Sequence, residues 1–391
     1  MQGEMVQFAA GTTSNQVGTR AGEAREGTNI TPGATYYMPD DHRFVCRMYY
    51  IASADTAVKD FDVANGTDIT TWMKVSGTMG NSLYWNRAYE VPTQYDSYGN
   101  DDSATCFYWQ NRRPHAFLAW TDLNHATTIV GTDAKGSNGL KFEPADVSLG
   151  EIRANAFNLT RAPRRDSHGA EQTIERITDQ PDICQALTIQ SPLGATQSAN
   201  RVNLYFKHQF SQIQVNIKGS ADLSVALSKD DIQKVELLGI TDTAYVFTQI
   251  NAQGELAKTT YKTVDISQFP DSELQRNPYG TSFEMFDMLD SEAGAEKNWG
   301  YPTGYLKAYN AIAFGQLQAI RITWKEASTS ILHEVTYVVA DENLKNLRSG
   351  YKYIWNIELR RGTLAIIRTE ISDWIVPASE LEYKTDGTID N

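Results

Sequence analysis

At 391 residues the chain is long enough for two domains of ~150 residues or more. Its 41% hydrophobic and 11% aromatic content can build real cores, which excludes a disordered chain. A formal charge of −13, from 48 acidic and 35 basic side chains, argues against a nucleic-acid partner. No apolar run approaches the ~20 residues a membrane helix needs. The start, MQGEMVQFAAG, has neither the basic region nor the apolar core of a secretory signal. Cys46, Cys106 and Cys184 are widely spaced with no C-x-x-C among them, so zinc ribbons and thioredoxin-type redox motifs are excluded. A Cys46–Cys106 disulfide and three reduced thiols are equally compatible with that spacing.

In chain order, Glu4–Ala10 is a short apolar patch (Met5, Val6, Phe8) that predicts one edge strand. A Gly- and Thr-rich polar stretch bearing Arg20 and Arg25 follows, with the composition of an exposed connection. FVCRMYYIA alternates, with Phe44, Cys46, Met48 and Tyr50 on one side. Short strand-like runs follow at residues 61–63 and 70–75. An aromatic cluster comes next: Tyr84 and Trp85, then CFYWQNRRPHAFLAW with Trp109 and Trp120. Two readings stand for it: a sandwich core, favoured by the alternation, or an exposed platform for stacking on sugar rings. Asp96, Asp101 and Asp102 lie in the loop between, but their spacing does not fit a helix-loop-helix calcium loop. Residues 150–201 read as the connection between halves, with a basic cluster at Arg153, Arg161, Arg164 and Arg165 and a closing strand at Ile183–Ile189.

Val202–Ile217, reading VNLYFKHQFSQIQVNI, organises the rest. Val202, Leu204, Phe206, His208 and Phe210 fall on one face by period two, the pattern of a half-buried strand. Ile213, Val215 and Ile217 then change phase. A β-bulge near Gln209–Gln212 restores the register in a single strand; the alternative is two strands meeting at a corner. His208 reads as a core histidine with a hydrogen-bond partner, so leucine should replace it and aspartate should not. Further strands are expected at Ile232–Ile240, Ala244–Gln249 and Leu256–Val264, the last two forming a hairpin around the Asn251–Gly254 turn. Residues 277–305 are expected to wander over the surface. Ala319–Trp324 and Ile331–Val339 alternate as a second hairpin, and Tyr351–Leu359 and Leu364–Ile371 alternate before Trp374 closes the core.

The pattern V-x-L-x-F-x-H-x-F, a small polar residue, then I-x-V-x-I resembles the middle of the fimbrillin-like proteins of the Bacteroidales. The likeness continues through LKNLRSGYKYIWNIEL, a hairpin and I-x-x-W, covering about Arg201 to Trp374, and is looser before it. The resemblance implies an all-β fold of two transthyretin-like, Greek-key β-sandwich domains end to end, here divided as 1–196 and 197–391. It implies a structural or adhesive subunit of a cell-surface fimbria, exported and lipid-anchored at the outer membrane before processing. Its partners would be other fimbrial subunits joined by β-strand addition, and a host protein or glycan receptor. By the same resemblance Arg20 or Arg25 would be the protease-cleavage position and Met5, Val6 and Phe8 the groove strand. The alternative is a surface carbohydrate-binding lipoprotein using the aromatic cluster.

Chemistry is thin. Phosphate-binding, dinucleotide and nucleophile-elbow glycine motifs are missing from the sequence. His333-Glu334 begins like a zinc-protease motif, yet Tyr337 stands where the second histidine belongs, and Asp166-Ser167-His168 are neighbours on one loop. No catalytic residue, cofactor or metal is expected.

Overall fold

The computed structural model describes residues 8–13, 35–37, 43–65, 67–72, 107–122, 143–144, 151–155, 164–165, 171–172, 177, 180, 182–192, 202–221, 223, 226–241, 243–288, 301–325, 330–360 and 363–373. Among these the structure is almost entirely β, with two single-turn α-helices, Asp271–Leu274 and Glu342–Lys345.

A seven-stranded sheet runs Thr35–Tyr37, Phe8–Thr13, Val202–His208, Ile183–Gln190, His115–Asp122, Arg43–Tyr50, Thr67–Trp72. All described pairings in it are antiparallel except that of Phe8–Thr13 with Val202–His208, which is parallel. A five-stranded sheet is ordered Phe286–Asp287, Lys307–Ala313, Ser211–Gly219, Tyr351–Arg360, Thr363–Asp373. A four-stranded sheet is ordered Ser282–Glu284, Ile232–Leu238, Ala319–Lys325, Leu332–Val338. These two share one apolar core: Ile213, Val215, Ile217, Tyr353, Trp355 and Ile357 cluster with Val235, Leu237, Ile320, Ile322 and Trp324. Side chains alternating along strands of two sheets and meeting in one layer are the defining feature of a sandwich. At ~1.5–3 kcal/mol for each large apolar side chain buried, this layer is the main stabilising term of the second half.

The phase change in the organising stretch is a corner, and the bulge is overturned. Val202–His208 ends in the seven-stranded sheet; after Gln209 and Phe210 the chain enters the five-stranded sheet as Ser211–Gly219. Each half keeps its own alternation, so no inserted residue is needed. The change of sheet therefore follows His208 and does not fall at the expected 196/197 boundary, because the strands on either side of that boundary pair with each other. The halves also share a sheet: Glu151–Asn155 pairs with Thr243–Phe247, between Glu143–Pro144 and Thr260–Tyr261.

The seven-stranded sheet buries both faces. Phe117, Ala119, Cys184, Ala186, Leu204 and Phe206 belong to one core, with Trp109 packed edge-on to Phe117 at 5.5 Å between ring centres. Ala116, Leu118, Trp120, Tyr49 and Ile183 belong to the other, which is continuous with the core of the second half. Of residues 277–305, expected to wander over the surface, 289–300 lie outside the described residues, and Phe283, Met285, Phe286 and Met288 are all buried. Their alternation is broken by short strand segments that serve two different sheets, which hides it in the sequence.

Candidate functional site: the first strand and the histidine corner

The described first strand is Phe8–Thr13, which overlaps the expected Glu4–Ala10 at residues 8–10 and runs on to Thr13; residues 4–7 lie outside the described residues. It lies inside the sheet, not at its edge: Thr35–Tyr37 covers it on one side and Val202–His208 on the other. Its pairings run Phe8 with Val202, Ala10 with Leu204 and Thr12 with Phe206, then Gly11 with Tyr37 and Thr13 with Thr35 on the outer side. Backbone pairing on both sides defines this strand, because Ala, Gly and Thr in FAAGTT offer little apolar area of their own. Of the expected groove residues, Phe8 begins the strand, while Met5 and Val6 lie outside the described residues. Arg20 and Arg25 also lie outside them, within the 14–34 connection between Phe8–Thr13 and Thr35–Tyr37.

Val202–His208 is the wall against which the first strand rests. Val202, Leu204 and Phe206 are fully buried among Phe107, Trp109 and Phe117. The wall changes partner along its length: Val202–Phe206 registers with the first strand, and Lys207 and His208 register with Gln185 and Cys184.

At the end of the wall sits a group that the sequence suggested only through His208. Its Nδ1 lies 2.6 Å from Asp182 Oδ1, bearing out a core histidine with a polar partner. Cys184 Sγ stands 3.4 Å from the same Nδ1 and 4.0 Å from Asp182 Oδ1. Asp182 and Cys184 point the same way because they are two apart in extended chain, and Cys184 faces His208 directly across the ladder. Alternation around D-I-C marks Asp182 and Cys184 as one face, but nothing in the sequence pairs that face with a residue 24 positions away.

The corner beyond is pinned by hydrogen bonds. Gln209 N–H donates to Ile183 O at 2.7 Å, Ser349 Oγ donates to Gln209 O at 2.8 Å, and Gly350 N–H donates to Phe210 O at 2.7 Å. Ser211 Oγ donates to Arg348 O at 2.7 Å, and Tyr261 Oη lies 2.8 Å from Ser349 Oγ. Burial pushes the Tyr261 phenol above its ordinary pKa, so it stays neutral and available for that contact.

The aromatic cluster is core where it is described. Phe107, Trp109, Phe117 and Trp120 are buried, with Trp109 and Trp120 on opposite faces of the sheet; Tyr108 is exposed. Tyr84, Trp85, the Asp96–Asp102 loop and Cys106 lie outside the described residues. Of the basic cluster, Arg164 and Arg165 form a short strand paired with Glu171–Gln172. His333 lies on an edge strand stacked on Trp324 at 5.3 Å between ring centres.

Residues 190–374 match the family model described as fimbrillin-like. No curated protein sequence matches the chain. Among solved structures, it is similar to a candidate cell adhesion protein from Bacteroides ovatus at 13% identity and a TM-score of 0.49, covering 96% of this chain and 99% of that one. It is also similar to the tip fimbrial protein Mfa3 from Porphyromonas gingivalis, at 9% identity and a TM-score of 0.37, covering 95% and 99%. A fimbrial assembly protein from Parabacteroides distasonis gives 9% identity and a TM-score of 0.35, covering 85% and 92%. The stretch that matches the fimbrillin-like family model, residues 190–374, includes the wall strand with His208 and most of the sandwich.

Proposed function

We propose that this protein is a structural and adhesive subunit of a bacterial cell-surface fimbria, joined to its neighbours by strand exchange at the wall strand Val202–His208. The observation that carries this reading is the first strand itself. Phe8–Thr13 is inserted parallel to the wall, and the chain that ties it to the rest of the molecule is the long 14–34 connection holding Arg20 and Arg25. Cleavage at either arginine cuts the covalent tie, and among the described residues Phe8–Thr13 is paired through its two backbone ladders. Its departure uncovers the backbone of Val202–Phe206, whose buried side chains form an apolar bed for an incoming extended segment. The fimbrillin-like match over the wall supports a cell-surface location; lipid anchoring at the outer membrane before processing is carried from the resemblance alone.

Brief trypsin treatment tests the reading. The expected result is a first cut at Arg20 or Arg25, loss of the fragment carrying Phe8–Thr13, and a trimmed protein that polymerises or takes up a peptide strand. A trimmed protein that stays monomeric and accepts no strand sinks the proposal.

A further inference from the structure

We propose that Asp182, Cys184 and His208 together form a binding site for one divalent transition-metal ion of the zinc class. The three donor atoms are Asp182 Oδ1, Cys184 Sγ and His208 Nδ1, and all lie within 4.8 Å of one another. Their separations of 2.6, 3.4 and 4.0 Å draw a triangle. Its corners share a point about 2 Å from each, within the ~2.0–2.3 Å range of zinc–nitrogen, zinc–oxygen and zinc–sulfur bonds. The oxygen–nitrogen edge is the tight one, and it opens when the Asp182–His208 hydrogen bond gives way to two bonds to the ion.

The donor set selects the metal. One carboxylate, one imidazole and one thiol cannot satisfy calcium or magnesium, which require six or more oxygens. A thiolate with an imidazole favours zinc, or cobalt in its place. Burial adds to this: the relative exposures are 5% for Asp182, 0% for Cys184 and 4% for His208. Binding would release the thiol proton of Cys184 to solvent, and one divalent ion would neutralise the thiolate and the Asp182 carboxylate that then face it. The ion's role is structural. It ties the end of the wall strand to the strand Ile183–Gln190 where the chain turns from one sheet into the next. This inference stands apart from the fimbrial reading and survives its failure.

The test uses the whole chain without an affinity tag, treated with chelator and titrated with cobalt(II) and then zinc(II). One equivalent of cobalt should bind with a thiolate-to-cobalt charge-transfer band, zinc should displace it, and the melting temperature should rise with zinc. Cys184→Ser should abolish the band while Cys106→Ser keeps it, and Asp182→Asn should weaken zinc binding at least tenfold. A folded wild-type chain that shows no cobalt–thiolate band overturns the proposal without recourse to any variant. A band that persists in Cys184→Ser overturns it equally.

Discussion

His115 sits at the start of the strand His115–Asp122, inside the seven-stranded sheet, with no exposed surface. Its Nδ1–H donates to Arg113 O at 2.8 Å and its Nε2 accepts from Gln110 N–H at 3.1 Å, which fixes the neutral tautomer. Burial pushes its pKa down from 6.5 to about 4, against the opposing pull of the Arg113 carbonyl. The unfolded chain therefore takes up a proton that the fold refuses. Stability from this residue is complete above pH 6.5 and is lost as pH falls toward 4, by about 3 kcal/mol at most. In urea titrations at pH 7.5 and pH 4, His115→Phe should lose less stability between the two than wild type; an equal loss would refute the assignment. His208 has a carboxylate partner. The sequence alone predicts that His208→Leu folds almost normally, but the substitution deprives Asp182, which is only 5% exposed, of the hydrogen bond that its Oδ1 accepts from His208 Nδ1. The cost should be about 1–3 kcal/mol. The double variant Asp182→Leu/His208→Leu should recover part of it, since an apolar pair of similar volume avoids burying a carboxylate; additive losses in a double-mutant cycle would count against the pairing.

At the scale of elements, period two located nearly every long strand, but it cannot tell which sheet a strand joins or whether a polar residue faces water. Ser211–Gly219 shows both limits. Its apolar Ile213, Val215 and Ile217 were legible, and so was the phase change before them; the choice between bulge and corner depended on Ile183, Ser349 and Gly350, remote residues that hold Gln209 and Phe210. On the opposite face Gln214 and Asn216 are buried too. Gln214 donates to Asn216, Asn216 to Asn356 and Asn356 to Glu370, at 2.8, 2.8 and 3.2 Å. Such a polar row reads as a solvated face in one dimension. The Asn251–Gly254 turn was legible from composition, and its reason is now specific. Gly254 has φ +84°, and a Cβ there would meet Phe61 Cε2 at 2.7 Å and Ile189 Cδ1 at 2.9 Å. The hairpin thus rests on the seven-stranded sheet through a residue with no side chain. Gly254→Ala should cost more than ~1 kcal/mol, the left-handed backbone and the overlap both adding to it. Thermal melts that match wild type would exclude this close approach.

On the scale of the whole molecule, the wall strand connects the two halves physically. It carries the motif by which the sequence resembles the fimbrillin-like family, yet its ladder partners come from the first half, including the first strand of the chain. That contact spans almost two hundred residues, so an apolar patch at Met5–Phe8 suggested a strand but could not show its neighbour, its parallel direction or its true extent. Strand exchange at this position requires Phe8–Thr13 to leave, and a covalent staple can forbid that. Ala9 and Asn203 are register partners across the parallel ladder, at the separation where a disulfide is geometrically tolerable. In the Ala9→Cys/Asn203→Cys variant, oxidation should tie the first strand to its wall even after trypsin has cut the 14–34 connection. Under oxidising conditions the cut protein should retain its first fragment and stay monomeric. Under reducing conditions it should release the fragment and assemble or bind a peptide strand as the cut wild type does. Assembly that proceeds equally well with the staple closed would show that subunits join elsewhere, and the wall strand would then be a structural feature with no part in polymerisation.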